Sequence, residues 1–446
     1  MLNKPSPIRY VAFGLFFIAI VLISYFFQRH QTFVVLPLYF LSFGSYWYLH
    51  KKNDSFTFKE LFIFGLICRI ILIPSLPILS DDIYRFIWDG RLLSQGVSPF
   101  AHIPAYYINF AHHGLAGITQ TLFEKLNSPE YFTIYPPVAQ LVFLSAVFPF
   151  PENELGSIII IRVLSLLAEV GTLYFMIKLL KKNSLPPHYA FLYFLNPLVI
   201  LELTGSLHFE GFMIFFLMAG IYYYQKNQLT KSGLFWALAI GTKLIPLIFL
   251  PVLLFKNSIK SNIRFFSSLG ITLCVLFIPF IDKTFISGLS SSITLYFQHF
   301  EFNASIYYIV REIGFWVKGY NIIGTAGKVL AISSFISIIT ISIISWRRKW
   351  DLGTSLMLII FIYFLFTNIL HPWYVTTILA LSVFTKFRFT VVWTALIFLT
   401  YAGYSATDFQ ENLWLVIVEY LIVISVFANE TRIINFNNLT FYEKDN

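Results

Sequence analysis

The densest charge in the chain lies in Ser80-Asp81-Asp82-Ile83-Tyr84-Arg85-Phe86-Ile87-Trp88-Asp89-Gly90-Arg91, where three carboxylates and two guanidinium groups follow directly on an apolar run. Only 12% of all residues are charged, so such a cluster calls for a reason. On a helix, positions 81, 82, 85 and 89 are three, four or seven residues apart and share one face, on which Arg85 can pair with Asp81, Asp82 or Asp89. Two adjacent carboxylates in such a place can do three things. One can act as a general base toward a hydroxyl within hydrogen-bond reach. Both can share a divalent cation with a phosphate. Or they can cap a helix and fill its first turn, with Ser80 or Asp81 as the cap. Capping accounts for one acid but not for Asp89 and two arginines on the same short helix, so Asp81 and Asp82 are the expected reactive centre.

Ionisable residues inside apolar runs form a second group, because charge in lipid is costly and by default faces a cavity, a partner or a substrate. Glu202 and His208-Phe209-Glu210 bracket the turn Thr204-Gly205-Ser206. Lys243 stands in Gly241-Thr242-Lys243-Leu244-Ile245-Pro246 with no acid beside it in sequence. It suits an anionic ligand such as a phosphate, or equally an ion pair with Glu202 or Glu210 across helices. Arg69 and an Arg162–Glu169 pair are expected to be structural. His371-Pro372-Trp373-Tyr374 opens a span on a rigid turn. Its two amphipathic rings suit the membrane interface, and the added His-Pro is less ordinary there. Tyr135-Pro136-Pro137 reads as a helix start, where the missing proline N–H groups cost nothing.

These groups must be positioned by a membrane scaffold. The chain has 446 residues, of which 57% are hydrophobic, with 51 Phe and 26 Tyr, and its mean hydropathy is +0.73. A soluble domain is nearer half apolar and a quarter charged, so an all-α polytopic membrane protein is expected. The net charge of +9 sits mostly in short connectors between apolar runs, where it sets topology rather than marking a nucleic-acid partner. Cys68 and Cys274 are alone in apolar segments and read as buried thiols. Fourteen apolar segments, among them 134–150, 157–179 and 233–255, suggest about 11–14 spans, within one integral domain over 1–430 and a short polar tail over 431–446. Lys4, Arg9, Lys51, Lys52 and Lys59 place the N-terminus and the second connector inside, which puts the Asp81 stretch on the outer face. If 134–150 and 157–179 both cross, Lys178, Lys181 and Lys182 fall outside, against that rule. The long outer connector 80–133, with His112-His113 in it, exceeds what joining two spans needs. A second polar stretch, 283–322, carries an interfacial helix over Ile306 to Lys318.

The order of these motifs resembles the GT-C superfamily of integral membrane glycosyltransferases: an early span ending in an acidic pair, a long outer loop, then Tyr-Pro-Pro opening the next span. More narrowly, Ser80 to Arg85 with Trp88-Asp89-Gly90-Arg91 and Pro99-Phe100 resembles bacterial polyprenol-phosphate-mannose-dependent mannosyltransferases. So do Asn196-Pro197, Leu207 to Gly211, Thr242-Lys243 and His371 to Tyr374, in that order. The chain departs from the simplest layout by placing two spans before the acidic one. The resemblance implies a polyprenyl-phosphate sugar donor, most simply of mannose, and a glycan or glycolipid acceptor whose hydroxyl attacks with inversion, with Asp81 or Asp82 as base. It implies an active site on the outer face of a bacterial plasma membrane. It also implies donor and acceptor contacts from Arg85, Trp88, Asp89, Arg91, Tyr135, His208, Glu210, Lys243, His371, Trp373 and Tyr374. A divalent cation on Asp81 and Asp82 is compatible with the same layout. The competing reading is a transporter or flippase for a lipid-linked saccharide. Such proteins often repeat interrupted helices in two similar halves, and no matching second half is visible. An O-antigen-type polymerase or ligase would instead keep its large loop late in the chain.

Overall fold

In the computed structural model, residues 7–52, 56–109, 114–281, 284–286, 288, 290–291 and 300–434 are described. His112-His113, Lys4, most of 282–299 and 435–446 lie outside them. The described residues are helical throughout apart from turns and two isolated bridges, Phe302–Ile369 and Tyr404–Phe409. The last helix runs over Leu413–Ile434 and so continues past the expected start of the polar tail.

Among the described residues, five helices are long and apolar enough to cross a membrane: Thr32–Lys51, Glu154–Lys182, Ile259–Phe280, Ile323–Arg347 and Leu413–Ile433. A sixth span is counted if Pro197–Gly205 and Glu210–Gln225, which meet at 111°, are taken together. Shorter apolar helices such as Tyr10–Phe26, Ile245–Lys256, Leu352–Phe366 and Phe389–Gly403 fill the bundle between them. The expected count of spans is approached only if these are included.

We label α1 (Pro7–Phe26), α2 (Thr32–Lys51), α3 (Phe58–Ile70), α4 (Asp82–Ser94), α5 (Pro137–Val147), α6 (Glu154–Lys182), α7 (Glu210–Gln225) and α8 (Leu229–Thr242). Three of them begin at a local signal. Thr57 and Glu60 form a reciprocal capping box on α3, Asn153 accepts from the Gly156 N–H at the head of α6, and Pro137 opens α5 where its missing N–H is harmless.

Two of the apolar segments, one of them marginal in length and left open in the sequence, are not single long helices. The segment 134–150 holds no helix of spanning length. Its helix α5 has 11 residues and runs parallel to α4. Asp82 meets Tyr135 at the start, the Phe86 ring stacks on Phe143 at 4.6 Å further on, and Gly90 backs onto Phe143 and Val147. The chain then turns back beside the connector it came from, where Lys125 pairs with Glu154 at 2.8 Å. Lys178, Lys181 and Lys182, at the far end of α6, therefore stay with the other basic connectors. His50, Leu61 and His188 line one small cavity at that end, and Arg388 lies over the Tyr189 ring at 5.1 Å.

The segment 233–255 is likewise two elements. Helix α8 stops at Thr242, and Lys243 is extended at φ −149°, ψ 143°. The following turns, Ile245–Lys256, lead back until Asn257 accepts from the Tyr224 hydroxyl at 2.8 Å, close to where α8 began. Lys243 is thus the tip of a hairpin and not the middle of a span.

Helices α4 and α5 touch where glycine permits it. A Cβ on Gly90 would sit 2.7 Å from the Phe143 carbonyl oxygen, a backbone atom that cannot swing aside. Gly90→Ala is expected to part the two helices and cost about 1–3 kcal/mol, read as a lower unfolding temperature of the detergent-solubilised protein. An unchanged temperature would show that the contact is not tight.

Candidate active site

The site is assembled from ends and breaks of helices. Ser80 and Asp81 lead into α4, and Asp82 is its first residue. The Asp82 carboxylate accepts at Oδ1 from the Asn127 amide (2.7 Å) and at Oδ2 from the Tyr135 hydroxyl (3.1 Å). Burial, and after it the Asp82 charge, push the Tyr135 phenol well up, so the ring keeps its proton and remains a donor. The Asp82 side chain is 20% exposed, shielded yet reachable.

Asp81 is placed differently. Its Oδ2 meets the Arg29 Nη2 at 2.6 Å, with 39% of the side chain exposed, and the Arg29 guanidinium also lies 4.9 Å from the Tyr404 ring centroid. The Asp81 side chain accepts no capping N–H from α4. The two acids thus have different partners on different elements. Among the described residues no group of three or more His, Cys, Asp or Glu side chains could hold a metal ion.

Opposite Asp82 stands the broken helix. The wide turn Ile200–Gly205 ends in Ser206, and Leu207 takes φ +63°, a left-handed conformation that is costly for a bulky residue and persists only where surroundings impose it. That kink delivers His208, with Nδ1 3.8 Å from Asp82 Oδ2 and Nε2 3.3 Å from Glu202 Oε2. The Trp373 indole stacks on His208 at 3.6 Å and on His371 at 4.4 Å. Glu202 receives the Tyr401 hydroxyl at 2.7 Å. Glu210, first in α7, binds Lys243 Nζ at 2.5 Å, and that ammonium lies 5.4 Å from the Tyr374 ring centroid. Lys243 keeps 17% of its side chain exposed. Of the two partners open to Lys243 in sequence, Glu210 is the one it takes.

Asp82, Tyr135, His208, Glu210, Lys243, His371, Trp373 and Tyr374 therefore converge. Arg85, Trp88, Asp89 and Arg91 sit on the loop side of α4. Arg85 Nε binds Asp89 Oδ1 at 2.9 Å and its Nη1 reaches the carbonyls of Ser128 and Tyr131. Asp89 is fully buried and also accepts from Thr133 and from Gln140 (3.0 Å). Arg91 holds the Gly117 carbonyl at 2.7 Å, and the Trp88 ring packs near Tyr107 and Phe123. These four pin the long connector onto α4.

Behind the site two buried arginines fix its frame. Arg69 pairs with Glu169 at 2.6 Å, both side chains fully buried, so the expected Arg162–Glu169 pair is corrected. Arg162 instead binds four carbonyls: Thr204 and Gly205 at 2.9 Å each, Ile73 at 2.9 Å, and Ser75. Arg29, Asn127 and Tyr401 escaped the sequence reading. Arg29 had a signal, being a lone cation in a connector on the face opposite the other basic ones.

The fold is that of a polytopic helical membrane protein. The family described as alpha-(1->6)-mannopyranosyltransferase, N-terminal domain, matches residues 24–257, more than half of the chain, and the chain belongs to it. It is also similar to alpha-(1->6)-mannopyranosyltransferase B of Corynebacterium glutamicum, with 28% identity over 146 residues. That match covers 32% of this chain and 23% of the relative, so it spans under a quarter of the relative's length. The family match takes in Asp82, Tyr135, His208, Glu210 and Lys243 and stops short of His371, Trp373 and Tyr374.

Proposed function

We infer that the protein transfers a mannosyl unit from a polyprenyl-phosphate-linked donor to a hydroxyl of a glycan or glycolipid, on the outer face of a bacterial plasma membrane. The observation that carries this reading is Asp82. It is a partly exposed carboxylate held by two neutral donors, Asn127 and Tyr135, at the mouth of a polar cluster, whereas the charge of Asp81 is engaged by Arg29. The family description and the partial relative support mannose. The segregation of basic connectors to the opposite end of the bundle supports an outer site.

In this reading the acceptor oxygen attacks the anomeric carbon while Asp82 takes its proton. The bond from that carbon to the phosphate oxygen breaks, and the electron pair leaves with the polyprenyl phosphate toward Lys243. One displacement inverts the anomeric centre. Sugar and phosphate arrive already joined in a lipid, so the reaction needs no nucleotide site.

The test uses membranes containing the protein, an oligomannoside acceptor, and labelled polyprenyl-phosphate mannose compared with labelled nucleotide mannose. Transfer from the lipid donor alone is expected, with the new linkage of opposite anomeric configuration to the donor. Transfer from the nucleotide sugar, with no activity on the lipid donor, would sink the reading.

A further inference from the structure

Among the buried polar atoms of the site without a hydrogen-bond partner, which include Glu210 Oε2 and His371 Nδ1, His208 Nε2 and Glu202 Oε2 are the two that face each other, at 3.3 Å. Both side chains are essentially without solvent. Leaving such groups unpaired is costly, and so is the left-handed backbone at Leu207 that aims the imidazole. The Trp373 indole, stacked at 3.6 Å, fixes the plane of the ring. Its other nitrogen, Nδ1, lies 3.8 Å from the Asp82 oxygen, just outside hydrogen-bond reach. Contacts of this kind are often long in ligand-free enzymes and tighten when substrate is bound.

We propose that His208, oriented by Glu202, is a proton relay behind Asp82. The inference rests on Asp82 being the base and concerns what happens to the proton afterwards. With substrate bound and these contacts tightened, His208 is neutral, with hydrogen on Nε2 toward the Glu202 carboxylate and the Nδ1 lone pair toward Asp82. The acceptor O–H proton passes to Asp82 Oδ2 as the new glycosidic bond forms. It then moves to His208 Nδ1 while the Nε2 proton moves to Glu202 Oε2. Asp82 is again a carboxylate, His208 is neutral in its other tautomer, and Glu202 holds the proton, its other oxygen still held by the Tyr401 hydroxyl at 2.7 Å. Once the products leave, the same shifts run in reverse and the proton passes from the partly exposed Asp82 to water, which restores the starting tautomer. No oxidant or co-reactant is needed. Lys243, Glu210 and His371 also face this region, beside the Tyr135 and Tyr401 hydroxyls that donate to Asp82 and Glu202. Lys243 is held by Glu210, which leaves the path from Asp82 to Glu202 to the imidazole.

Glu202 is a positioning residue in this scheme, and Glu202→Gln tests it, because the amide is isosteric and can still accept from Tyr401. The expected result is a kcat lowered about tenfold to a hundredfold with the donor KM unchanged. In His208→Ala membranes, kcat is expected to fall further and to be partly restored, saturably, by added imidazole, which a merely structural histidine would not allow. Neither substitution should lower activity further in an Asp82→Asn background. Wild-type kcat in Glu202→Gln together with no imidazole rescue of His208→Ala would overturn the relay. If His208→Ala fails to fold, wild-type kcat in Glu202→Gln overturns it alone. The base assignment fails separately, through full activity of Asp82→Asn.

Discussion

Asp82→Asn is expected to lower kcat for sugar transfer by about 10²–10⁴-fold, the usual worth of a general base, with little change in the donor KM. The amide keeps the shape of the carboxylate and can still accept from Tyr135 or Asn127, so folding and membrane insertion should survive. What is lost is an interaction made only as the acceptor proton moves, and such a loss falls on kcat rather than on ground-state binding. Asp81→Asn makes the contrast. It breaks a half-exposed ion pair with Arg29, and exposed pairs contribute at most about 1 kcal/mol, so a loss of about fivefold or less is expected. Initial rates of mannosyl transfer in membranes decide the matter. An inactive Asp81→Asn beside an active Asp82→Asn would reverse the assignment, and two active variants would remove both acids from the chemistry.

Arg162→Met is expected to be the most damaging substitution outside the reacting groups. It orphans the carbonyls of Ile73, Ser75, Thr204 and Gly205 in a fully buried position. At a lower bound of about 1 kcal/mol per buried unsatisfied group, the cost is about 4 kcal/mol or more. That corresponds to an unfolding temperature lower by on the order of 10 °C. The carbonyls belong to two breaks, one leading to Asp81 and Asp82 and the other to His208 and Glu210. Activity should therefore fall even in protein that remains folded. Arg162→Lys should not rescue, because an ammonium cannot present the planar fork that spans four acceptors. Unchanged melting and activity in Arg162→Met would show that the two breaks are held by other contacts.

Much of this was legible in the residues, and the parts that were not fail for identifiable reasons. The acidic stretch, the turn between Glu202 and His208, and the His371 motif stand out because charge is rare in this chain. Arg85 was limited by helical spacing to three acids, and Asp89 at i+4 is the one it meets. Spacing cannot report on contacts between distant spans, however. Arg162 and Glu169 are seven apart on one helix, yet Glu169 turns to Arg69, a hundred residues earlier. Apolar length also misleads where a helix is covered by protein. Residues 134–150 are apolar because α5 packs on α4, and 233–255 is apolar on both sides of a hairpin tip. Asn127 gave no signal, being one polar residue in a polar loop.

Asp82 and Glu210 each stand in the first turn of a helix, α4 and α7, which are 13 and 16 residues long. The backbone N–H groups at such ends carry roughly half a positive charge. Counted by side chains alone, Asp82, Glu202 and Glu210 against Lys243 make the cluster acidic, a poor host for an anionic substrate. Counted with the peptide dipoles, the two carboxylates rest on a positive floor that titration does not remove. Part of the field needed to receive a phosphate is therefore built from backbone direction, which side-chain substitution leaves in place.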